Sequence, residues 1–172
     1  MPARISSQSD LNQPAMKQDI HNILHHWREA VPNDRMAHLI RDTERAFRRA
    51  LQLRLAAHGV PFGHWAFLRI LWEADGLTQK ELSERAGVME PTTFAAMKVM
   101  QELGYITRSR IPTNKKNMYV YLTGAGRALK KKLVPLAEET NKISVKNIAP
   151  ADVATARRVL LAMLSNLVDD EA

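Results

Sequence analysis

Pro91, Thr92, Thr93 and Ala95 stand side by side and bring hydroxyls, small methyls and a ring-fixed backbone to one short stretch. Side chains of this size can work in a crowded polyanionic groove. A hydroxyl reaches a phosphate oxygen or a base edge, and a methyl lies against the methyl of thymine. Lys98 adds a charge further along the same segment. Downstream, from Leu103 to Ala137, there is no Asp or Glu, while Arg108, Arg110, Lys115, Lys116, Arg127, Lys130, Lys131 and Lys132 all fall within that block. The chain as a whole is +7, so the remainder is close to neutral. A concentrated positive block on a near-neutral body suits a polyanion better than a small substrate; a solvated basic face is the plainer alternative.

Other chemistries find less support. His21, His25 and His26 offer helical spacing for a metal, but no Glu completes a metalloprotease motif and the chain has no cysteine. The expectation is therefore no metal and no cofactor, with these histidines on a surface. Absence of cysteine also rules out disulfides and thiolate catalysis and fits a reducing cytoplasm. No Gly-rich phosphate loop, nucleophile elbow or carboxylate pair stands out, so the chain is expected not to be an enzyme. Apolar runs are only a few residues long, which excludes a bilayer-spanning helix, and the N-terminus has no apolar signal core. Trp65, Phe67 and Trp72 recur at helical spacing, which fits a buried core or the wall of a ligand pocket.

The elements that must position these residues follow from periodicity and punctuation. Residues 1–13 are polar and aperiodic and read as a disordered arm; a short helix is expected from about Ala15 to Ala30. Met36, Ile40, Phe47, Leu51 and Leu55 mark a helix from Asp34 that Gly59 ends, and Phe62 to Ala74 forms an apolar helix. Thr78-Gln79-Lys80-Glu81 has the form of a capping box opening a short helix that Gly87 stops. Pro91 sits in the first turn of the next helix, where its missing N–H is harmless, and Gly104 ends it. Tyr105–Ile111 and Met118–Leu122 are β-branched and aromatic runs joined by a basic turn, read as a two-stranded hairpin. A helix from Thr123 to about Lys146, bent at Pro135, and another from Pro150 complete the chain. The latter carries Val153, Ala156, Val159, Leu160, Met163, Leu164 and Leu167 in one stripe.

Short helix, glycine turn, second helix and basic hairpin occur here in the order of a winged helix-turn-helix. The fold class expected is mainly α with a small two-stranded β wing, plus a helical dimerisation region. Its divisions are 1–13 (arm), 14–60 (dimerisation), 61–123 (the winged helix) and 124–172 (dimerisation). The second helix would enter the major groove amino end first, presenting Pro91, Thr92, Thr93, Ala95 and Lys98. Arg110, Lys115 and Lys116 of the hairpin would reach phosphates or the minor groove beside it, and Thr78 and Gln79 could touch phosphate at the first helix's start. Lys130-Lys131-Lys132 fits either a DNA grip or a solvated helix face.

Over roughly residues 34–168 the sequence resembles the MarR family of bacterial regulators. The matching residues are Leu77-Thr78-Gln79-Lys80-Glu81-Leu82, Gly87-Val88, Thr92, Gly104-Tyr105-Ile106, Arg108, Pro112, Val120-Tyr121-Leu122-Thr123 and Gly126. The resemblance implies a homodimer on a pseudo-palindromic double-stranded operator, with half-sites about 34–36 Å apart. It also implies repression relieved by a small aromatic acid or related ligand. Arg108 would take the carboxylate, Phe94 and Trp65 would cover the ring, and His64 and Arg49 would add polar contacts. A second reading keeps Arg108 on phosphate beside Arg110. Two departures stand out. The wing tip has Asn114, Lys115 and Lys116 where the family usually reads Asp-x-Arg. The reading helix has Phe94 and Ala95 where an arginine is common, which shifts weight toward phosphates and DNA shape. The rival reading is a winged helix that binds protein rather than DNA, or a DNA-binding regulator without a ligand.

Overall fold

The computed structural model describes residues 22–25, 27–28, 36–111 and 114–170, so the expected arm, most of the expected helix from Ala15 to Ala30, and His21, His26 and Pro112 lie outside the described residues. The chain divides into two compact units, Met1–Gln52 and Leu53–Ala172.

In the first unit, residues 22–25 and 27–28 are helical, and helix α1 (Met36–Ala56) begins and runs through its boundary. Trp27 donates its indole N–H to Asp42 at 3.1 Å, and Arg41 donates to the other oxygen at 3.2 Å. These bonds, Trp27's foremost, hold the Asp42 carboxyl below the usual carboxylate range. Met36, Leu39 and Ile40 are exposed on α1.

The second unit carries the winged helix. Helix α2 (Phe62–Glu73) follows Pro61 and buries Trp65, Phe67, Leu68 and Leu71, as its apolar pattern required. Strand β1 (Leu77–Thr78) leads into α3 (Gln79–Ala86), whose capping box forms as its sequence predicts. Thr78 Oγ1 accepts from the Glu81 amide at 3.2 Å, and the Glu81 carboxylate accepts from the Thr78 amide at 2.7 Å. Gly87 ends α3 at φ +63, a left-handed conformation that any side chain would strain. Helix α4 (Glu90–Glu102) has Pro91 in its first turn. Strands β2 (Ile106–Ile111) and β3 (Asn114–Leu122) form the wing, α5 (Gly124–Ser144) carries Pro135 within its length, and α6 (Pro150–Asp170) closes the chain.

The sheet has three strands, in the order β1-β3-β2, where the hairpin alone was expected. Leu77 pairs with Val120 and Thr78 with Tyr119, both antiparallel, and Gly76 donates to the Val120 carbonyl at 3.0 Å. The reason is local. Asp75 accepts from the Leu122 amide at 2.8 Å and from Arg127 at 2.6 Å, so the chain leaving α2 is stapled to the base of the wing and to the start of α5. Trp72 donates to the Gly126 carbonyl at 3.0 Å, and any side chain at Gly126 would collide with the Tyr105 carbonyl. The wing is thus anchored on both flanks. Leu55, Leu68, Leu71, Leu82, Met97, Met100, Ile106, Val120 and Leu133 form the core around these joints.

Helix α6 is different: it buries no residue. Only Val153 and Met163 of its expected stripe are half-buried, and Val159, Leu160, Leu164 and Leu167 are exposed.

Candidate nucleic-acid interface

The joint between α3 and α4 fixes what α4 presents. α3 turns Leu82 and Ser83 inward, and α4 turns Thr93, Met97 and Met100 inward at the spacings of one helix face. The Ser83 and Thr93 hydroxyls hydrogen-bond at 2.8 Å in the buried joint, and Ser83 bonds onward to the Gln79 carbonyl at 2.9 Å. This corrects the expectation for Thr93. With no exposed surface, it locks the two helices together and is closed to a groove. Thr92, one position earlier, is exposed.

A helix turns about 100° per residue, so the arc opposite that buried face runs through Pro91, Ala95 and Lys98, with Thr92 and Phe94 on its flanks. All five are exposed. Thr78 is half-buried, and its hydroxyl lies 2.7 Å from the Glu81 carboxylate to which it donates. That hydroxyl therefore serves the cap, as the sequence reading expected. The backbone and hydroxyl of Thr78 also hold the Glu81 carboxyl below its usual range.

On the wing, Arg110 is exposed on β2. Lys115 and Lys116 follow the turn on β3, where the backbone course is described and the side chains lie outside the described ones. Between the starts of α3 and α4 and strand β3 lies an open groove of about 290 Å³, lined by Thr78, Gln79, Lys80, Glu90, Asn117 and Met118. It gathers Thr78 and Gln79 from the expected set. Lys80, Glu90, Asn117 and Met118 were not foreseen, the last two because only the pairing of β1 with β3 brings them beside the start of α3.

Of the expected ligand residues, Arg108 and Phe94 meet: the guanidinium carbon lies 5.8 Å from the ring centroid, and Arg108 Nε donates to Gln101 at 2.5 Å. Trp65 is buried and packs edge-on against Trp72 at 5.7 Å, which makes it core rather than an open wall. His64 is buried beside it, with Nδ1 lacking a hydrogen-bond partner, and burial pushes its imidazole down so that it is neutral near pH 7. Arg49 belongs to the first unit. Among the described residues there is no group of three or more His, Cys, Asp or Glu arranged to hold a metal, and no helix long and apolar enough to cross a membrane.

Comparison with known proteins gives the geometry a family. The MarR family's sequence profile matches residues 63–118, from α2 to the middle of β3. The chain is 28% identical over 125 residues to the HTH-type transcriptional regulator TtmR of Methylorubrum extorquens, covering 73% of this chain and 61% of that one. It is 30% identical over 77 residues to the organic hydroperoxide resistance transcriptional regulator of Bacillus subtilis, covering 45% of this chain and 52% of the relative. The chain thus spans between half and two thirds of these two relatives. Its fold is similar to that of a MarR-family regulator from Listeria monocytogenes solved with a 26mer DNA, at a TM-score of 0.70 and 21% identity over 80% of this chain and 91% of that one. Both named relatives are transcriptional regulators. Capping box, second helix and three-stranded wing stand in the order of the MarR family, whose profile matches this segment and whose solved members share its fold, so the chain is similar to that family.

Proposed function

We propose that this protein is a dimeric, cytoplasmic repressor that binds a pseudo-palindromic operator and leaves it when a small aromatic acid binds. The observation that carries the DNA reading is the α3–α4 joint. By burying Thr93 it turns Pro91, Ala95 and Lys98 outward, beside a wing anchored by Asp75 within the basic block. In this reading residues 61–123 bind DNA, α4 enters the major groove, and Arg110, Lys115 and Lys116 hold phosphates alongside.

Residues 14–60 and 124–172 pair two copies. The support is the apolar surface left open on α6, the end of α5 and the segment between them, where Ile143, Ile148, Leu160, Leu164 and Leu167 are exposed. Burial of such a surface against a second copy is the ordinary way for it to leave water. The effector's carboxylate takes the Arg108 nitrogens that Gln101 leaves open, and its ring lies against Phe94. A ligand there releases DNA only by binding the free dimer more tightly than the bound one.

The test is anisotropy of a labelled duplex from the DNA beside the gene, titrated with benzoates and cinnamates. An acid that releases wild type but needs at least tenfold more to release Arg108→Ala supports the proposal. Equal release of both removes Arg108 as the anchor, and the absence of any bound duplex removes the DNA reading.

A further inference from the structure

The amino end of α4 is unusually apolar for a helix turned toward a polyanion. Met89, its N-cap, is 76% exposed and Phe94 is 56% exposed, with Val88 and Pro91 also open to solvent. Charges of both signs surround it: Glu90 and Lys98 lie one turn before and one turn after Phe94 on α4, and Arg108 and Arg110 lie on β2. An exposed ring with three cations and one carboxylate around it suits a partner that is negative at its rim and apolar at the point of contact. In the major groove only thymine fits that description, since its C5 methyl projects from the pyrimidine between two lines of phosphate.

The ring is also held. Arg108 lies over one face at 5.8 Å, and Gln101, two turns along α4 from Phe94, accepts from Arg108 Nε. Phe94 and Gln101 fall on the same flank of α4, so helix and strand together fix the ring's tilt and leave its outer edge open. Ala95, the next residue, lies on the outward arc and adds a second small apolar surface.

We infer that Phe94 is a specificity-determining residue that selects a thymine, or another 5-methylpyrimidine, at one position of each half-site. This rests on the DNA-binding reading above and names what the reading helix recognises. Covering one methyl is worth about fourfold in affinity. Arg108 acts here as a positioning residue for the ring, and an aromatic effector that displaced it would disturb the same contact.

Duplexes selected from a random pool by the full-length protein provide the substrate for the test. The selected duplex is resynthesised with deoxyuridine in place of each thymidine in turn, and binding is measured for wild type, Phe94→Ala and Phe94→Leu. Phe94 is a surface residue, and circular dichroism with thermal melting checks that each variant folds. The expected result is one uracil-sensitive position per half-site, where wild type loses about fourfold. Phe94→Ala loses less than about 1.5-fold there, Phe94→Leu lies between, and 5-methylcytosine at that position binds wild type better than cytosine. Loss of the same factor by wild type and Phe94→Ala, or absence of any uracil-sensitive position, overturns the methyl contact while leaving DNA binding intact. Failure to select any duplex overturns the DNA reading itself, and the contact with it.

Discussion

Two adjacent threonines on α4 have opposite tasks, and their substitutions should separate cleanly. Thr93→Val removes the hydroxyl that Ser83 meets at 2.8 Å in a dry joint, so it should lower stability by about 1 kcal/mol in urea unfolding. Thr92→Val changes an exposed side chain and should leave unfolding unaltered, while weakening a cognate duplex by about 1–3 kcal/mol and random DNA much less. Equal losses on both DNAs would mean that Thr92 only positions the helix. On the wing, replacing Lys115 and Lys116 by Ala should weaken all duplexes alike and reduce the salt slope by about one to two. An unchanged slope would take that end of the wing off the DNA. The inward turn of Thr93 was readable in principle, because Met97 and Met100 stand four and seven residues after it and mark the buried face. The residue type alone suggested two equivalent hydroxyls, and phase separated them.

At the scale of elements, the capping box joins the wing to the start of α3. Thr78 both pairs with Tyr119 in the sheet and caps α3, so Thr78→Ala should cost about 0.5–2 kcal/mol of stability. The pH dependence follows from Glu81. Its carboxyl is held below its ordinary value in the folded chain, so between the folded and unfolded values the unfolded chain binds more protons. This contribution is present above the ordinary carboxylate range and is lost as pH falls through the folded value. Thermal melts of wild type and Thr78→Ala should therefore converge on acidification and stay apart near pH 7. A constant gap would show that the carboxylate plays no part in the cap. The box was legible because its donors and acceptors lie three residues apart. β1 was not: it is two residues long and its partners lie some forty positions downstream, so only tertiary closure, through Asp75 and the Gly76 amide, reveals it. The same long-range pairing hid Asn117 and Met118 from the sequence reading of the groove.

At the scale of the molecule, the exposed leucines of α6 carry the assembly claim. Leu160→Asp puts a charge where two apolar surfaces would meet, at a residue that is 45% exposed within one chain. The folded chain should tolerate it, and light scattering should find half the wild-type mass with the circular dichroism unchanged. A mutant that stays dimeric would remove α6 from the interface. The apolar stripe was plain in the sequence, but periodicity cannot distinguish a stripe that covers its own core from one that awaits another copy. Within one chain α6 buries no residue, which supports the second as a proposal.

In the proposed reading the exposed face of α4 and the basic wing meet duplex DNA as one surface. That claim is tested most directly by measuring the affinity of the intact protein for a selected duplex and for random DNA across a range of salt concentrations. Counterion release requires log K to fall linearly with log salt, with a slope near −0.9 for each phosphate neutralised. The expected result is a steep slope on both duplexes, with the selected one bound at least about a thousandfold more tightly at physiological salt. Binding that is indifferent to salt, or absent on both duplexes, would contradict the account.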